Sequence, residues 1–222
     1  NSHYLIFCTK RGTIKKTLLE AYSRPRANGV IAINLVEGDQ LVGVGLTDGE
    51  SEILIANRNG RAVRFHESAV RAMGRNATGV RGMTLDDDGR DEVIGMLTVA
   101  QDTEETILVI SEQGYGKRSV VEDYRKTNRG TKGVKTLNIT DKTGELVAIR
   151  PVTDEHDLMI INKSGITIRV HARDISVQGR ATQGVRIIDL KKRGDEIASV
   201  CQVLSEEDSD EEAFDAESLP EN

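Results

Sequence analysis

Arginine, lysine and glycine recur along the chain in one short pattern. The stretches RNATGVRG (75–82), RGTKGVK (129–135) and RATQGVR (180–186) each place an arginine four residues before a glycine and a second basic residue two residues after it. Arginine and lysine side chains bind phosphate groups, and glycine allows the backbone to approach a ligand closely. The pattern therefore predicts several equivalent binding sites for a polyanion.

The distribution of charge also favours a polyanionic partner. The 222 residues include 30 basic and 36 acidic side chains, which gives a formal net charge of −6. Nine of the acids lie in residues 205–222, where there is no base, so the 27 acids of residues 1–204 are outnumbered by 30 bases. We interpret residues 1–204 as a mildly basic body and residues 205–222 as an acidic tail that we expect to be disordered, the alternative being a mimic that competes with the polyanion for the basic body.

The basic pattern belongs to an internal repeat. Apolar runs such as ILIA and ILVI precede polar turns closed by a glycine, and the closing glycines are 48, 54 and 51 residues apart: Gly12, Gly60, Gly114 and Gly165. A second glycine followed by valine comes 17 to 19 residues later, at Gly29, Gly79, Gly133 and Gly184. The chain is therefore predicted to contain four units of about 50 residues, approximately 1–50, 51–104, 105–154 and 155–204.

Each unit reads as four β-strands. An apolar run is followed by a glycine turn and a return strand, then by a linker, a strand that opens at Gly-Val and a last apolar strand. Glycine supplies the positive φ that tight hairpins require, and we expect Asn59-Gly60 to form a type I′ turn. Since no stretch has the apolar period of an amphipathic helix, the repeat predicts an all-β, propeller-like fold of four-stranded blades.

Three sets of bases keep the same position in successive units, although blade packing does not require charge. If the units are related by rotation, equivalent positions lie on one rim and form a curved basic track. The arginines could instead pair with the many nearby carboxylates. Four residues after the turn glycine stand Lys16, Arg64, Arg118 and Arg169; four before the second glycine, or next to that position, stand Arg26, Arg75, Arg129 and Arg180; two after it stand Arg81, Lys135 and Arg186; the neighbouring Lys15, Lys117 and Lys132 complete the candidate set.

A duplex is the favoured polyanion because aromatic residues are scarce. The chain has three Phe, four Tyr and no Trp, whereas binding of single strands needs aromatic platforms for the bases. Tyr22 and Tyr124 also share a position with Val70 and Ile175, which predicts that they pack between blades. Phosphate contacts do not read the bases, so we expect binding to be independent of sequence.

Other kinds of site find no support in the sequence. Cys8 and Cys201 stand far apart in apolar runs and show no zinc-type spacing, so we expect reduced thiols, with Cys8 as core filler. The four histidines are dispersed, and we predict no metal site and no catalytic residues. No apolar run approaches the roughly 18 residues that a membrane span requires.

Three stretches resemble one known family: GTIKKTLLEAY (12–22), VRFHESAVRAMGRNATGVRG (63–82) and GYGKR (114–118). They are similar to the carboxy-terminal domain of DNA gyrase A subunits, and the pattern covers roughly residues 4–204. The resemblance implies a six-bladed β-pinwheel that wraps duplex DNA about a basic perimeter and supports ATP-dependent negative supercoiling. It also implies an A2B2 enzyme of the bacterial cytoplasm in which ATP, Mg²⁺ and the DNA-cleaving tyrosine lie outside this chain, so that the chain itself binds no cofactor.

The sequence departs from that family in two respects. Only four units are visible, and the glutamine-arginine-arginine-double-glycine-lysine-glycine box of the first blade is absent, RGTKG (129–133) being the closest stretch. We therefore expect the first blades to lie upstream and this part to bend DNA less than a complete domain. Two alternatives stay open: the corresponding domain of topoisomerase IV, and a propeller that serves as a protein-interaction platform.

Overall fold

A computed structural model of the chain describes residues 2–190 and 194–205. These residues form fifteen β-strands: β1 (Tyr4–Thr9), β2 (Thr13–Leu18), β3 (Leu41–Thr47), β4 (Glu52–Asn57), β5 (Arg61–His66), β6 (Val80–Arg81), β7 (Val93–Val99), β8 (Thr106–Ser111), β9 (Tyr115–Val120), β10 (Val134–Lys135), β11 (Leu146–Val152), β12 (His156–Asn162), β13 (Thr167–His171), β14 (Val185–Arg186) and β15 (Ile197–Leu204). Short 3-10 helices span Leu19–Tyr22, Glu67–Ala69, Val121–Asp123 and Ala172–Asp174. None of the described helices could cross a membrane. The predicted acidic tail lies outside the described residues, apart from Ser205.

The strands form four antiparallel sheets, the blades of a propeller-like pinwheel, which confirms the predicted all-β fold. Their strand orders are β3-β1-β2-β6 in sheet 1, β10-β5-β4-β7 in sheet 2, β11-β8-β9-β14 in sheet 3 and, as far as it is described, β13-β12-β15 in sheet 4. In the β4–β5 turn, Gly60 has a φ of +79° and donates its N–H to the Asn57 carbonyl at 3.1 Å. The predicted type I′ turn is wrong, because Asn59 does not have a positive φ and a three-residue hairpin loop needs one only at its last residue.

Each of the first three sheets takes its fourth strand from the following unit of the repeat. β6 pairs with β2, β10 with β5 and β14 with β9. Before β6, the chain runs beside β2 in parallel, and Met73 donates its N–H to the Lys16 carbonyl at 2.8 Å. It then turns back, and Arg81 pairs antiparallel with Thr13. A unit of the sequence repeat is therefore not identical with a blade of the fold.

The two ends of the described structure lack this exchange. Residues 29–36, the Gly-Val segment of the first unit, form no strand, and the Ile31 side chain is 60% exposed. At the other end, β13 is an edge strand among the described residues, and a Cβ added to Gly165 would meet none of their atoms within 4 Å. The equivalent Cβ on Gly114 would lie 2.7 Å from the Ile188 carbonyl oxygen. The exchanged strand therefore fills a defined space beside each turn glycine in sheets 1 to 3.

The hydrophobic core lies between neighbouring sheets. All six residues of β4 are buried because Ile53 and Ile55 pack toward sheet 1 while Leu54 packs toward sheet 3. Cys8 is fully buried in the first of these interfaces, and burial raises the pKa of its thiol to about 12, consistent with core filler. Tyr124 is fully buried between sheets 2 and 3. Each blade thus packs against its neighbours, which fixes the position of the loops that it carries.

Candidate nucleic-acid interface

Three loops precede the exchanged strands and contain most of the predicted linker bases. We call them rim loop 1 (residues 74–79), rim loop 2 (128–133) and rim loop 3 (179–184). Each ends at a glycine with positive φ that lies against the preceding blade. A Cβ on Gly133 would lie 2.2 Å from the Ala62 carbonyl oxygen, and one on Gly184 would lie 2.5 Å from that of Gly116. Close packing of loop on blade, rather than approach of a ligand, requires these glycines.

The linker arginines join successive rim segments. The Arg75 guanidinium donates to the Ile31 carbonyl at 3.2 Å, that of Arg129 to the Arg81 carbonyl at 3.0 Å, and that of Arg180 to the Lys135 carbonyl. Each arginine thus contacts the residue two positions after the second glycine of the preceding unit. The structure therefore brings two of the three predicted sets of bases together in one continuous strip.

Several bases of this strip are exposed to solvent. Arg81, Lys132, Lys135 and Arg186 are all exposed, as is the more distant Arg26. Their contacts are short polar ones at the surface: Lys132 to Asp86 at 3.0 Å, Lys135 to Asn138 at 3.1 Å, and Arg186 to the Tyr115 hydroxyl at 3.1 Å and to Asp189 at 3.6 Å. Such exposed pairs are weak, so these cations can exchange their partners for phosphate.

The bases four residues after the turn glycine lie elsewhere and follow the alternative of pairing with carboxylates. The four pairs are Lys16 with Glu67 at 2.8 Å, Arg64 with Glu52 at 3.4 Å, Arg118 with Asp154 at 2.5 Å and Arg169 with Asp157 at 2.6 Å. Lys16 and Arg118 are buried, each 6% exposed, so their charged groups do not reach a phosphate as they lie. Arg64 also donates to the carbonyl oxygens of Val121 and Tyr124 in the next unit. Lys16, Arg64 and Arg118 therefore join neighbouring repeats.

Lys15 and Lys117 are fully buried beneath rim loops 1 and 3. The Lys117 ammonium donates to the carbonyls of Gly179 at 2.7 Å and Thr182 at 3.1 Å and also to that of Arg180. The Lys15 ammonium donates to the carbonyls of Ala32, at 2.6 Å, and Arg75. Burial lowers the pKa of both lysines, and that of Lys117 falls to about 8. Neither lysine offers its charge at the surface, contrary to the prediction that they contact a polyanion directly.

Sequence reasoning missed two bases beside the strip. Arg71 and Arg125 each stand eleven residues after a turn glycine, and both are exposed. Neither side chain forms a hydrogen bond or ion pair with the described part of the chain. The shared eleven-residue spacing was a signal for them, although it recurs in only two units. Across residues 2–190 and 194–205, no cluster of three His, Cys, Asp or Glu residues could hold a metal ion.

Comparison with known proteins identifies the family. The model of the DNA gyrase C-terminal domain, described as a β-propeller, matches residues 3–48, 51–100, 105–153 and 156–200. The chain belongs to this family. It is 46% identical over 218 residues to the A subunit of DNA gyrase from Staphylococcus aureus (strain MRSA252), a match that covers 97% of this chain and 24% of that protein. The chain thus spans about a quarter of the length of the curated relatives that it matches.

Two solved structures are similar to this gyrase-family chain. The C-terminal domain of DNA topoisomerase IV matches with a TM-score of 0.85 and 28% identity, over 97% of this chain and 66% of that one. The C-terminal domain of DNA gyrase A matches with a TM-score of 0.79 and 25% identity, over 91% and 66%. The resemblance found in the sequence is therefore confirmed. RGTKG, the stretch closest to the box of the gyrase family, forms most of rim loop 2.

Proposed function

We propose that this chain binds, bends and wraps duplex DNA along its rim, without sequence specificity, as part of a gyrase A subunit. The observation that carries the proposal is the continuous strip in which Arg129 and Arg180 join successive rim segments beside exposed bases. In the complete enzyme, two A and two B subunits of the bacterial cytoplasm would use ATP and Mg²⁺, bound outside this chain, to introduce negative supercoils. This chain would supply the DNA path and no catalytic group.

The strip is suited to a bent duplex because its basic residues recur on successive blades. Smooth bending of 20–30 base pairs through a large angle costs on the order of several kcal/mol. One phosphate contact could not offset that cost, but cations such as Arg81, Lys135 and Arg186 on successive blades would act together along the curve. Each contact also releases counterions, so binding should weaken steeply with salt.

The strip has few exposed aromatic rings on which the unpaired nucleobases of a single strand could stack. Tyr124 is fully buried, and the Tyr115 side chain is buried under the Arg186 guanidinium, which lies 5.6 Å from the ring centre. Stacking on exposed aromatic rings is what holds single strands in proteins that bind them. A duplex, bound through its phosphates, fits the described surface better.

A salt titration of duplex affinity tests the proposal, with duplexes of about 20 to 100 base pairs. Affinity should rise with length, and replacing Arg81, Lys132 and Lys135 by Gln should make the log–log salt slope shallower by about 2.7. The matched control replaces Lys10, Arg58 and Lys163 by Gln, which removes the same charge from the inner side where residues of all four sheets meet. An equal loss in both variants would reject the rim as the DNA path. Weak binding that is insensitive to salt would favour a protein-interaction platform.

The corresponding subunit of topoisomerase IV is the second candidate, favoured by the TM-score of 0.85 to the C-terminal domain of that enzyme. The identity of 46% to a gyrase A subunit favours gyrase. The sequence that precedes Asn1 in the complete gene discriminates between them. A gyrase box and further blades there would support gyrase, whereas a junction without the box would support topoisomerase IV.

A further inference from the structure

The buried lysines are not part of a track of exposed cations, yet the Lys117 ammonium is surrounded by hydrogen-bond acceptors of the protein. Its ammonium contacts three carbonyl oxygens of rim loop 3 and, at 3.1 Å, the hydroxyl of Thr182. A buried charge is costly unless it is fully hydrogen-bonded, so these contacts fix the loop in one conformation. The charged groups that face Lys117 are Arg180 from the loop and Asp123 from the preceding 3-10 helix.

The direction of those carbonyls determines where the loop amides point. In a trans peptide, the C=O of one residue and the N–H of the next point in opposite directions, and the described chain has no cis peptide. With the carbonyls of Gly179, Arg180 and Thr182 turned toward the ammonium, the N–H groups of Arg180, Ala181 and Gln183 point away from it. None of these three amides donates to a backbone carbonyl in the described structure.

We propose that rim loop 3 is a phosphate-binding site in which the backbone amides of residues 180, 181 and 183 bind a phosphodiester of duplex DNA, and that Lys117 is the positioning residue that turns them outward. Backbone N–H groups contact phosphate oxygens in many complexes of proteins with DNA. This inference rests on the proposed function, and it adds uncharged donors to a rim otherwise described by its cations.

The other rim loops supply internal comparisons. Lys15 turns the Arg75 carbonyl inward under rim loop 1, so the Asn76 amide points outward in the same manner. Under rim loop 2 the equivalent position is Val63, fully buried, and the Gly130 and Thr131 carbonyls accept from Thr84 instead. Valine is therefore compatible with the fold at this position, which makes Lys117→Val a substitution that the protein already uses elsewhere.

The test compares the wild-type chain with Lys117→Val and Lys135→Ala. Lys117→Val should lower duplex affinity about tenfold while leaving the salt slope unchanged, because amides release no counterions. Lys135→Ala should instead make the slope shallower by about 0.9, as loss of a cationic contact does. A slope change of that size in Lys117→Val would overturn the proposal in favour of direct contact. Unchanged affinity would also overturn it.

The pH profile provides a readout that a purely structural lysine would not move. Since the pKa of Lys117 is about 8, wild-type affinity should fall as pH rises through that value, whereas Lys117→Val should show no such step.

In amide NMR spectra, a short duplex should shift residues 180, 181 and 183 in the wild type. If inorganic phosphate alone shifts them too, the site takes phosphate from either source; if only the duplex does, it is specific for DNA. Absence of these shifts from a duplex that binds with a steep salt slope would overturn this inference alone, and absence of duplex binding would overturn the proposed function.

Discussion

Rim loops 2 and 3 follow the same path over their blades but are held in different ways. Rim loop 3 lies over the Lys117 ammonium, which binds its carbonyls from beneath. Rim loop 2 lies over Val63 and is held from the side, where Thr84 binds the Gly130 and Thr131 carbonyls. Besides the arginine that each loop contains, rim loop 2 therefore has Lys132 at the surface, whereas rim loop 3 has Lys117 beneath it. The same backbone can thus present either charge or oriented amides to a polyanion.

Gly133→Ala should abolish rim loop 2 and leave rim loop 3 in place. The new Cβ would lie 2.2 Å from the Ala62 carbonyl oxygen at a φ of +72°, so β10 must leave sheet 2. We expect the free energy of unfolding, measured by urea denaturation with circular dichroism, to fall by about 3–4 kcal/mol. Gly29→Ala is the control, since its φ of +76° is similar but no atom of the described residues lies within 4 Å of the added Cβ, and it should cost about 1 kcal/mol. Equal costs would mean that loop and blade are not closely packed.

The pH dependence of stability should distinguish the two loops. Lys117 has a pKa of about 8 when folded and 10.5 in its ordinary state, so between these values the unfolded chain binds the additional proton. The wild type should therefore gain stability relative to Lys117→Val as pH rises from 8 to 10.5, by at most about 3 kcal/mol. Over the lower part of this range DNA affinity should fall, so stability and binding change in opposite directions. A constant difference in unfolding free energy between the two proteins would mean that the ammonium is solvated.

The sequence predicts the blades well because their determinants are local. Apolar runs closed by Gly12, Gly60, Gly114 and Gly165 specify hairpins, and hairpins need no distant information. The exchanged strands have two residues each, and their partners depend on packing between distant positions, such as Gly133 against Ala62. No local pattern reveals which blade such a strand joins.

Burial of the bases was harder to predict than their recurrence. Lys16 and Arg118 recur as regularly as Arg129, but the carboxylate that buries Lys16, Glu67, belongs to the next unit. One signal was available for Lys15 and Lys117. Their position, three residues after the turn glycine, holds Val63 and Ile168 in the other units, and a position that is apolar in half of the units indicates the interior. The positions that hold a basic residue in every unit gave no indication that some of these residues are buried.

Thr84→Val should loosen rim loop 2 without affecting rim loop 3. It removes the hydroxyl that donates to the Gly130 carbonyl at 2.7 Å, which should lower the free energy of unfolding by about 1 kcal/mol. Hydrogen exchange of the amides in residues 128–133 should accelerate, and exchange in residues 179–184 should stay unchanged. Thr84→Ser keeps the hydroxyl and should restore protection. Faster exchange in both loops would show that the two are coupled through the rim strip.

Lys132→Gln should have the smallest effect on stability and a clear effect on binding. The Lys132 side chain is 57% exposed and its ammonium pairs with Asp86 at 3.0 Å, so its loss should change the free energy of unfolding by less than about 0.5 kcal/mol. The salt slope of duplex binding should nevertheless become shallower by about 0.9, because a surface cation that contacts phosphate releases counterions. A loss of stability with an unchanged slope would give Lys132 the role assigned to Lys117. A lysine would then hold both rim loops 2 and 3. Both loops would bind phosphate through oriented backbone amides rather than through exposed charge.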